Sequence, residues 1–386
     1  MDSPRRRNNR LVRAQNTKKI LMLVKDHEPV SLETLVRKSS LTYPTVLGII
    51  KQLESDSHVE RLAYAPTTGG RQAVLYGISG ISRYVLGLHI NTETISISIT
   101  NLRDGKIFQA TEPMHFQGLS TPELARSLVG LIGGILSKTR LENTSFVRVC
   151  ITHRDGTSLD IRGIGSALET FLSIPVKILP DRIALNYLER QSYHISSLST
   201  YMFVLFEEEL SLTTYRGFDE RLDRLPSTHF GHMTMVIGGA TCVCSQRGCL
   251  CSYVNGEGLL KFYLDAGGED QGVDGESSDL FHRLLAASYR GDRAAVIAID
   301  RAIEVLAVAL ANVIKIEGVA TIVLSGIFNS TDVRYKMQLE QTVANYLPKG
   351  FLEKPQIILG TTTPNDSAFA ACLMMSADYF ESLRFD

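Results

Sequence analysis

The sequence predicts an α/β protein in which an N-terminal winged helix-turn-helix precedes a two-lobed body. Three observations carry this. Three short amphipathic helical patterns follow one another and lead into two strand-like runs around a Gly-rich tip. Farther along, strands in groups are followed by helices, and that order occurs twice, as in two-lobed α/β architectures. Finally, four of the six cysteines (Cys242, Cys244, Cys249, Cys251) crowd one Gly-rich loop, which points to a metal rather than to scattered core thiols. With 386 residues, 44% of them hydrophobic, the chain is long enough for several cores. We divide it into a head over residues 1–80 and a body over residues 84–386.

In the head, Ile20, Leu23 and Val24 share one helical face, Leu32, Leu35 and Val36 repeat the spacing, and Val46, Ile49, Ile50 and Leu53 repeat it again. Ser31 and Thr42 are suited to N-caps, Glu33 to a first turn, and Pro44 to a helix start, where a missing N–H costs little. About four residues around Ser39–Leu41 join the second and third helices, the spacing of a helix-turn-helix. Runs Val59–Tyr64 and 72–78 then flank a Pro/Thr/Gly tip, a hairpin that reads as a wing. Arg71 follows Gly69 and Gly70, so a guanidinium stands on a narrow tip able to enter a minor groove. Residues 1–75 carry 13 Lys and Arg against 7 Asp and Glu, while the remainder carries 27 against 34. A basic head on an acidic body points to a polyanionic partner, double-stranded DNA. The third helix is expected in the major groove, with Tyr43, Thr45 and Val46 at the reading end. Thr42, Lys51 and an arm from Arg5 to Arg13 are expected on phosphates, and Gly70 and Arg71 at the wing tip. A trihelical packing module without DNA affinity is the blander alternative.

The body opens with strands divided by turn signals at Asn91-Thr92 and Asp104-Gly105, followed by helical patterns at 122–139 and 183–191. A strand at 201–206 follows, then a long helix near 296–315, a strand at 321–324 and a closing helix at 366–379. The most apolar stretch, 302–324, is broken by Glu304, Lys315 and Glu317 and contains Gly318, so it reads as a buried helix and a strand rather than a membrane span. No apolar leader follows the first residues, and the expected location is the cytoplasm. In such a setting, Cys242, Cys244 and Cys249, with His232 ten residues ahead of the first of them, make a closed three-thiolate, one-imidazole set for a structural zinc.

Residues Gly231 to Cys251, GHMTMVIGGATCVCSQRGCLC, resemble the signature of the ROK family of repressors, open reading frames and sugar kinases, roughly G-H-M followed by C-x-C-G-x-x-G-C-L-E. The Gly-Gly-Arg tip followed by a strand such as YVLGLHI resembles its repressor branch, which includes xylose and N-acetylglucosamine regulators. The resemblance extends over essentially the whole chain. It implies a sugar-kinase-like, actin-like ATPase fold for the body and zinc ligation by His232, Cys242, Cys244 and Cys249. Cys251 stands where the family has Glu, and we do not count it as a ligand.

The resemblance also shows what this chain has lost. The family's kinases hold ATP phosphates on a D-x-G-G-T strand end, which here reads His89-Ile90-Asn91-Thr92-Glu93. A second glycine-rich turn is replaced by Glu207-Glu208-Glu209-Leu210. Both glycine sets that let a backbone approach phosphate are gone, and carboxylates there repel a triphosphate. Gly326, near the adenosine site of the kinases, survives. The family's N-D-A-N reads Pro180-Asp181-Arg182-Ile183, retaining the general-base Asp181 without its asparagines. Two carboxylates that meet sugar hydroxyls are His229 and Cys251 here. No ATP binding and no enzymatic activity are expected, and Asp181 and His229 remain as candidates for an effector site. The reading is a DNA-binding regulator, a repressor of carbohydrate genes. It is expected to bind an inverted-repeat operator as a homodimer or tetramer, with a carbohydrate or protein effector and no membrane partner. Its rivals are an active sugar kinase with an appended head and a protein-interaction adaptor.

Overall fold

The computed structural model describes residues 4–64, 72–91, 94–114, 119–154, 159–206, 210–216, 228–269, 277–351 and 354–385. The chain divides into two units, one made of Met1–Asp181 with Ser367–Asp386, the other of Arg182–Asp366.

The first unit begins with α1 (Pro4–His27), β1 (Val30–Ser31), α2 (Leu32–Ser39), α3 (Tyr43–Ser55), β2 (Val59–Tyr64) and β3 (Val74–Ile78). The Ser31 hydroxyl accepts the Thr34 N–H at 3.2 Å, which starts α2, and Ser40 at φ 59° ends it in the left-handed region. Helix α3 follows three residues later with Pro44 in its first turn. Thr42 caps it without a side-chain bond to the backbone, its hydroxyl lying 2.9 Å from that of Thr45 instead. Ile20, Val24, Leu35, Val46, Ile49, Ile50 and Leu53 are 5% exposed or less, and each contributes about 1.5–3 kcal/mol by leaving water. Strands β1, β3 and β2 form an antiparallel sheet in that order. The expected arm from Arg5 to Arg13 is instead the first half of α1. After Pro4 no glycine or proline interrupts the run, so the helix extends to its start.

Strands β4 (Tyr84–Ile90), β5 (Thr94–Asn101) and β6 (Lys106–Pro113), helix α4 (Thr121–Thr139), β7 (Phe146–His153), α5 (Ile161–Leu172) and β8 (Val176–Pro180) follow. The sheet order is β6-β5-β4-β7-β8, antiparallel through the first three strands and parallel from β4 onward. Leu86, Leu88 and Ile90 face Leu124, Leu128, Ile132 and Leu168 of α4 and α5 in one core, while Val85, Gly87 and His89 point to the other side of the sheet. The sheet is covered on both faces, which is why β4 is buried from Val85 to Ile90.

The second unit comprises α6 (Asp181–Arg190), α7 (Tyr193–Ser196), β9 (Thr200–Phe206), β10 (Leu210–Arg216), α8 (Cys251–Val254), α9 (Gly256–Asp265), α10 (Ser277–Tyr289), α11 (Arg293–Glu317), β11 (Thr321–Gly326), α12 (Val333–Asn345) and β12 (Gln356–Leu359). Its sheet runs β10-β9-β11-β12, again an antiparallel pair continued by parallel strands. The apolar stretch after residue 302 is α11, ended by Gly318 at φ 68°, and then β11. Among the described residues no helix is long and apolar enough to cross a membrane. Glu189, 1% exposed, accepts from the backbone N–H and hydroxyl of both Thr361 and Thr362 and from the Ser325 hydroxyl. It pins α6 to the end of β11 and to the segment after β12.

Helix α13 (Ser367–Ser382) returns the chain to the first unit and packs on β4, β5 and β7. A Cβ on Gly87 would lie 2.0 Å from the Ala368 carbonyl oxygen, so only glycine admits this approach. The head is seated on the same lobe. Arg103 Nε and Nη1 stand 3.5 Å from Glu28 and 3.6 Å from Glu60, and Asn101 Nδ2 donates to Gly80 O at 3.1 Å. Lys25 Nζ lies 4.3 Å from the Phe380 ring centre, and the His58 ring packs against Tyr379 and Phe385.

Candidate functional site

Two regions concentrate chemistry: the outward face of α3 and the loop from Gly231 to Cys251. On α3, the 3.6-residue period that buries Val46, Ile49, Ile50 and Leu53 turns Thr42, Tyr43, Thr45 and Lys51 outward. Tyr43 is 53% exposed. Val46, expected at the reading end, is fully buried. It belongs to the core-facing stripe and holds the helix in place instead of meeting a ligand. Beside α3, Val12, Arg13 and Asn16 of α1 and Pro44, Thr45 and Gly48 of α3 line a shallow groove, and Arg13 donates to Gln52 at 2.9 Å across it. Gly70 and Arg71 lie outside the described residues.

The second region is a knuckle held by its own backbone. Thr234 bridges Cys249 and Thr241 bridges Arg247. The Cys242 N–H bonds Gln246 O at 2.8 Å, and Ser245 N–H bonds Cys242 O at 2.9 Å. The Ala240 N–H donates to the Tyr253 hydroxyl at 2.9 Å, tying the loop to α8. His232 comes from the end of a 3-10 turn, Thr228–His232. One ligand atom from each of His232, Cys242, Cys244 and Cys249 lies within 4.8 Å of the others. Cys242 Sγ is 3.5 Å from His232 Nδ1, and Cys244 Sγ is 3.7 Å from Cys249 Sγ. Ligands that share a tetrahedral zinc-sized ion, with thiolates at about 2.3 Å and imidazole at about 2.0 Å, stand roughly 3.5–3.8 Å apart. The donor set therefore fits such a metal.

Electrostatics leads to the same point. Burial works against ionising Cys242, yet the Cys244 N–H and the Cys251 and Cys244 thiols hold its pKa at about 6. Burial, then contact with neighbouring sulfurs, pushes Cys249 and Cys251 up to about 12. A lone thiolate is tolerated here and a set of them is not, unless a cation offsets the charge. Cys251, outside the expected ligand set, stands 3.4 Å from Cys242 Sγ and 3.8 Å from His232 Nδ1. The family pattern has Glu at this position, which is why the sequence alone leaves Cys251 out of the expected set. The Cys-Leu-Cys spacing on a tight turn was the available signal.

At the positions compared with kinase motifs, His89 is 3% exposed and its Nδ1 is 3.3 Å from the Thr152 hydroxyl. Burial, then the charge of Arg154, lowers its pKa to about 4, so it is a neutral core imidazole. Asn91 N–H bonds Thr94 O at 3.0 Å. Thr92, Glu93 and Glu207 to Glu209 lie outside the described residues. Gly326, at φ 79°, pairs with Phe206, and a Cβ there would sit 2.0 Å from the Phe206 carbonyl, so strand packing alone explains this glycine. Asp181 is buried in the first turn of α6, where the helix dipole favours a carboxylate. His229 is exposed on the 3-10 turn before the metal loop.

Comparison with known proteins agrees with this architecture. Residues 226–376 match the model of the ROK family. A xylose repressor of Bacillus spizizenii is 22% identical over 273 residues, covering 65% of this chain and 68% of the repressor. A xylose repressor of Caldicellulosiruptor bescii is 22% identical over 330 residues, covering 80% and 82%. Among solved structures, a ROK family transcriptional regulator, a homolog of the E. coli MLC protein, superimposes with a TM-score of 0.73 at 15% identity, covering 96% of this chain and all of that one. A ROK hexokinase of Thermus thermophilus superimposes with a TM-score of 0.59 at 19% identity, covering 75% and 97%. The body thus has the mixed α/β fold that ROK sugar kinases and regulators share.

Proposed function

From a chain whose residues 226–376 form a ROK family domain, we propose a DNA-binding transcriptional regulator, a repressor of carbohydrate-utilisation genes acting in the cytoplasm. The observation that carries this reading is α3. It is a short helix whose apolar stripe is fully spent on the head's core, leaving Thr42, Tyr43, Thr45 and Lys51 along an exposed face. It follows α2 after a left-handed turn at Ser40, and the β2–β3 hairpin lies beside it. This arrangement supports the reading of the head as a winged helix-turn-helix. Thr45 and Tyr43 are assigned to base edges, Thr42 and Lys51 to phosphates, and Gly70 and Arg71 to the wing tip. The sequence relatives named repressors support the assignment.

The body is proposed to be catalytically inactive and to serve dimerisation and sensing. Its metal would be a structural zinc on His232, Cys242, Cys244 and Cys249, which closes the knuckle and leaves no open position for substrate. Two copies of the head would meet an inverted repeat. The seam at Arg103, Glu28, Glu60, Lys25 and Phe380 ties each head to its own lobe. Any carbohydrate or protein effector would act through unequal affinity for two arrangements of the heads.

Selection of duplexes from a random pool by the full-length protein tests this. A two-fold symmetric motif is expected, with log affinity falling steeply against log salt. Retention of no motif, with binding only at low salt, would overturn the reading in favour of an adaptor. Hexose-dependent ATP hydrolysis abolished by Asp181→Ala would overturn the inactive body.

A further inference from the structure

We propose that Cys251 is a reserve ligand of the metal centre, a thiol that takes over the coordination position of His232 when the imidazole is removed. His232 Nδ1, Cys242 Sγ and Cys251 Sγ form a nearly equilateral triangle with sides of 3.5, 3.4 and 3.8 Å. Each side lies within about 0.4 Å of the spacing expected of groups sharing one tetrahedral ion, about 3.5 Å for sulfur with nitrogen and about 3.8 Å for two sulfurs. Cys251 therefore stands as close to Cys242 and His232 as the ligands of one ion stand to each other, just outside the group of four formed by His232, Cys242, Cys244 and Cys249. The side chain is 8% exposed and turned into the sulfur cluster. It opens α8, only two residues after Cys249, so the backbone that presents one ligand presents the other.

The exchange needs little movement. Both Cys251 and His232 border Cys242, so Cys251 stands beside the edge of the site that His232 would vacate. A donor already beside Cys242 needs less rearrangement than a distant one, which would require the loop to refold. The chemistry favours it too. The family pattern has a carboxylate at this position, whereas a thiolate is a soft donor well matched to zinc, and a four-thiolate set is as closed as a three-thiolate, one-imidazole set. Sulfurs 3.4 Å apart are well beyond the bonded separation of about 2.05 Å, so Cys242 and Cys251 are both free to ligate.

This inference rests on the reading of Gly231 to Cys251 as a metal loop, and cobalt(II) loading of the full-length protein separates the two. The parent should bind one cobalt with the absorption of a tetrahedral thiolate site, which Cys242→Ser should weaken. Absence of that spectrum in the parent would defeat the metal loop itself and the inference with it. In His232→Ala, we expect one bound cobalt whose thiolate-to-metal absorption rises by about one third, as four thiolates replace three. The double variant His232→Ala/Cys251→Ser should bind at least about tenfold to a hundredfold more weakly than the single one. His232→Phe, which fills the imidazole's space without ligating, gives the same comparison should the alanine variant not fold. A His232 variant with the parent's three-thiolate absorption, or one that binds cobalt no better than the double variant, would overturn the proposal.

Discussion

Replacing Glu189 with alanine should unfold the second unit more readily than any conservative change elsewhere in that unit. The carboxylate is 1% exposed. Its oxygens take the Thr361 N–H at 2.9 Å, the Thr362 N–H at 2.9 Å, and the hydroxyls of Thr361, Thr362 and Ser325 at 3.2, 2.6 and 3.0 Å. The hydroxyls can turn elsewhere; Ser325 already reaches the Thr362 carbonyl at 3.2 Å. The two backbone N–H groups cannot. Each buried donor left unsatisfied costs about 1–3 kcal/mol. With the cavity left by the side chain added, the loss is about 3–5 kcal/mol. Glu189→Gln keeps the volume and one acceptor oxygen but points an amide donor at other donors, so it should cost roughly half as much. Urea unfolding followed by far-ultraviolet circular dichroism measures both. The expectation is a lower midpoint at unchanged slope for the transition that contains this unit. An alanine variant within about 1 kcal/mol of the parent, inside the range of an ordinary surface substitution, would refute the reasoning.

Four further outcomes follow from the same structure. Gly87→Ala drives a methyl to 2.0 Å from Ala368 O and should destabilise the first unit by about 3 kcal/mol or more; an unchanged thermal midpoint would show that α13 yields. Tyr43→Ala should weaken specific DNA binding while leaving the fold intact, whereas Val46→Ala, a core deletion, should cost about 1–3 kcal/mol of stability. Titration of an operator duplex together with a melt separates the two. Chelation of the metal should lower the melting temperature, and a chelator-insensitive melt would contradict a structural metal. The pKa values of His58 and His89 are both lowered to about 4, mainly by burial and then by Arg83 and Arg154 respectively, against about 6.5 unfolded. Both are neutral in the folded protein, so their contribution is complete above about pH 6.5 and is lost as the pH falls toward 4. Melting temperatures should drop across that window, with a shallower drop in His89→Gln, and a rise on acidification would count against it.

Local patterns in the sequence were legible wherever a short segment decides its own conformation. Ser31 and Pro44 mark helix starts by backbone chemistry, Gly318 ends α11, and the spacing of Cys242, Cys244 and Cys249 brings three sulfurs together with little help from the rest of the fold. Val46 shows where two local rules compete. Its place near the N-terminus of α3 suggested a base contact, but its register with Ile49, Ile50 and Leu53 put it inside, and burial of an aliphatic side chain outweighs proximity to a groove. Glu189 and the seam at Arg103 could not be read in advance. Their partners lie 172 positions away at Thr361 and 43 positions away at Glu60, and nothing in the flanking residues marks a carboxylate as buried. Cys251 is legible in the Cys-Leu-Cys spacing, although the family pattern holds a different residue there.

The path of α13 has a consequence for how the protein is made. The first unit is discontinuous: its sheet and head are synthesised early, but the helix that covers Gly87, and the Tyr379, Phe380 and Phe385 rings on which the head rests, come only after the whole second unit. At about 5–20 residues per second, the roughly 210 residues between the end of β7 and the start of α13 make a delay of roughly 10–40 seconds. During that interval one face of the β4–β5–β7 sheet stands open and the head hangs from its linker without its seat. A growing chain therefore carries a finished α3 in a head that is not yet coupled to its lobe, and the coupling arrives with α13.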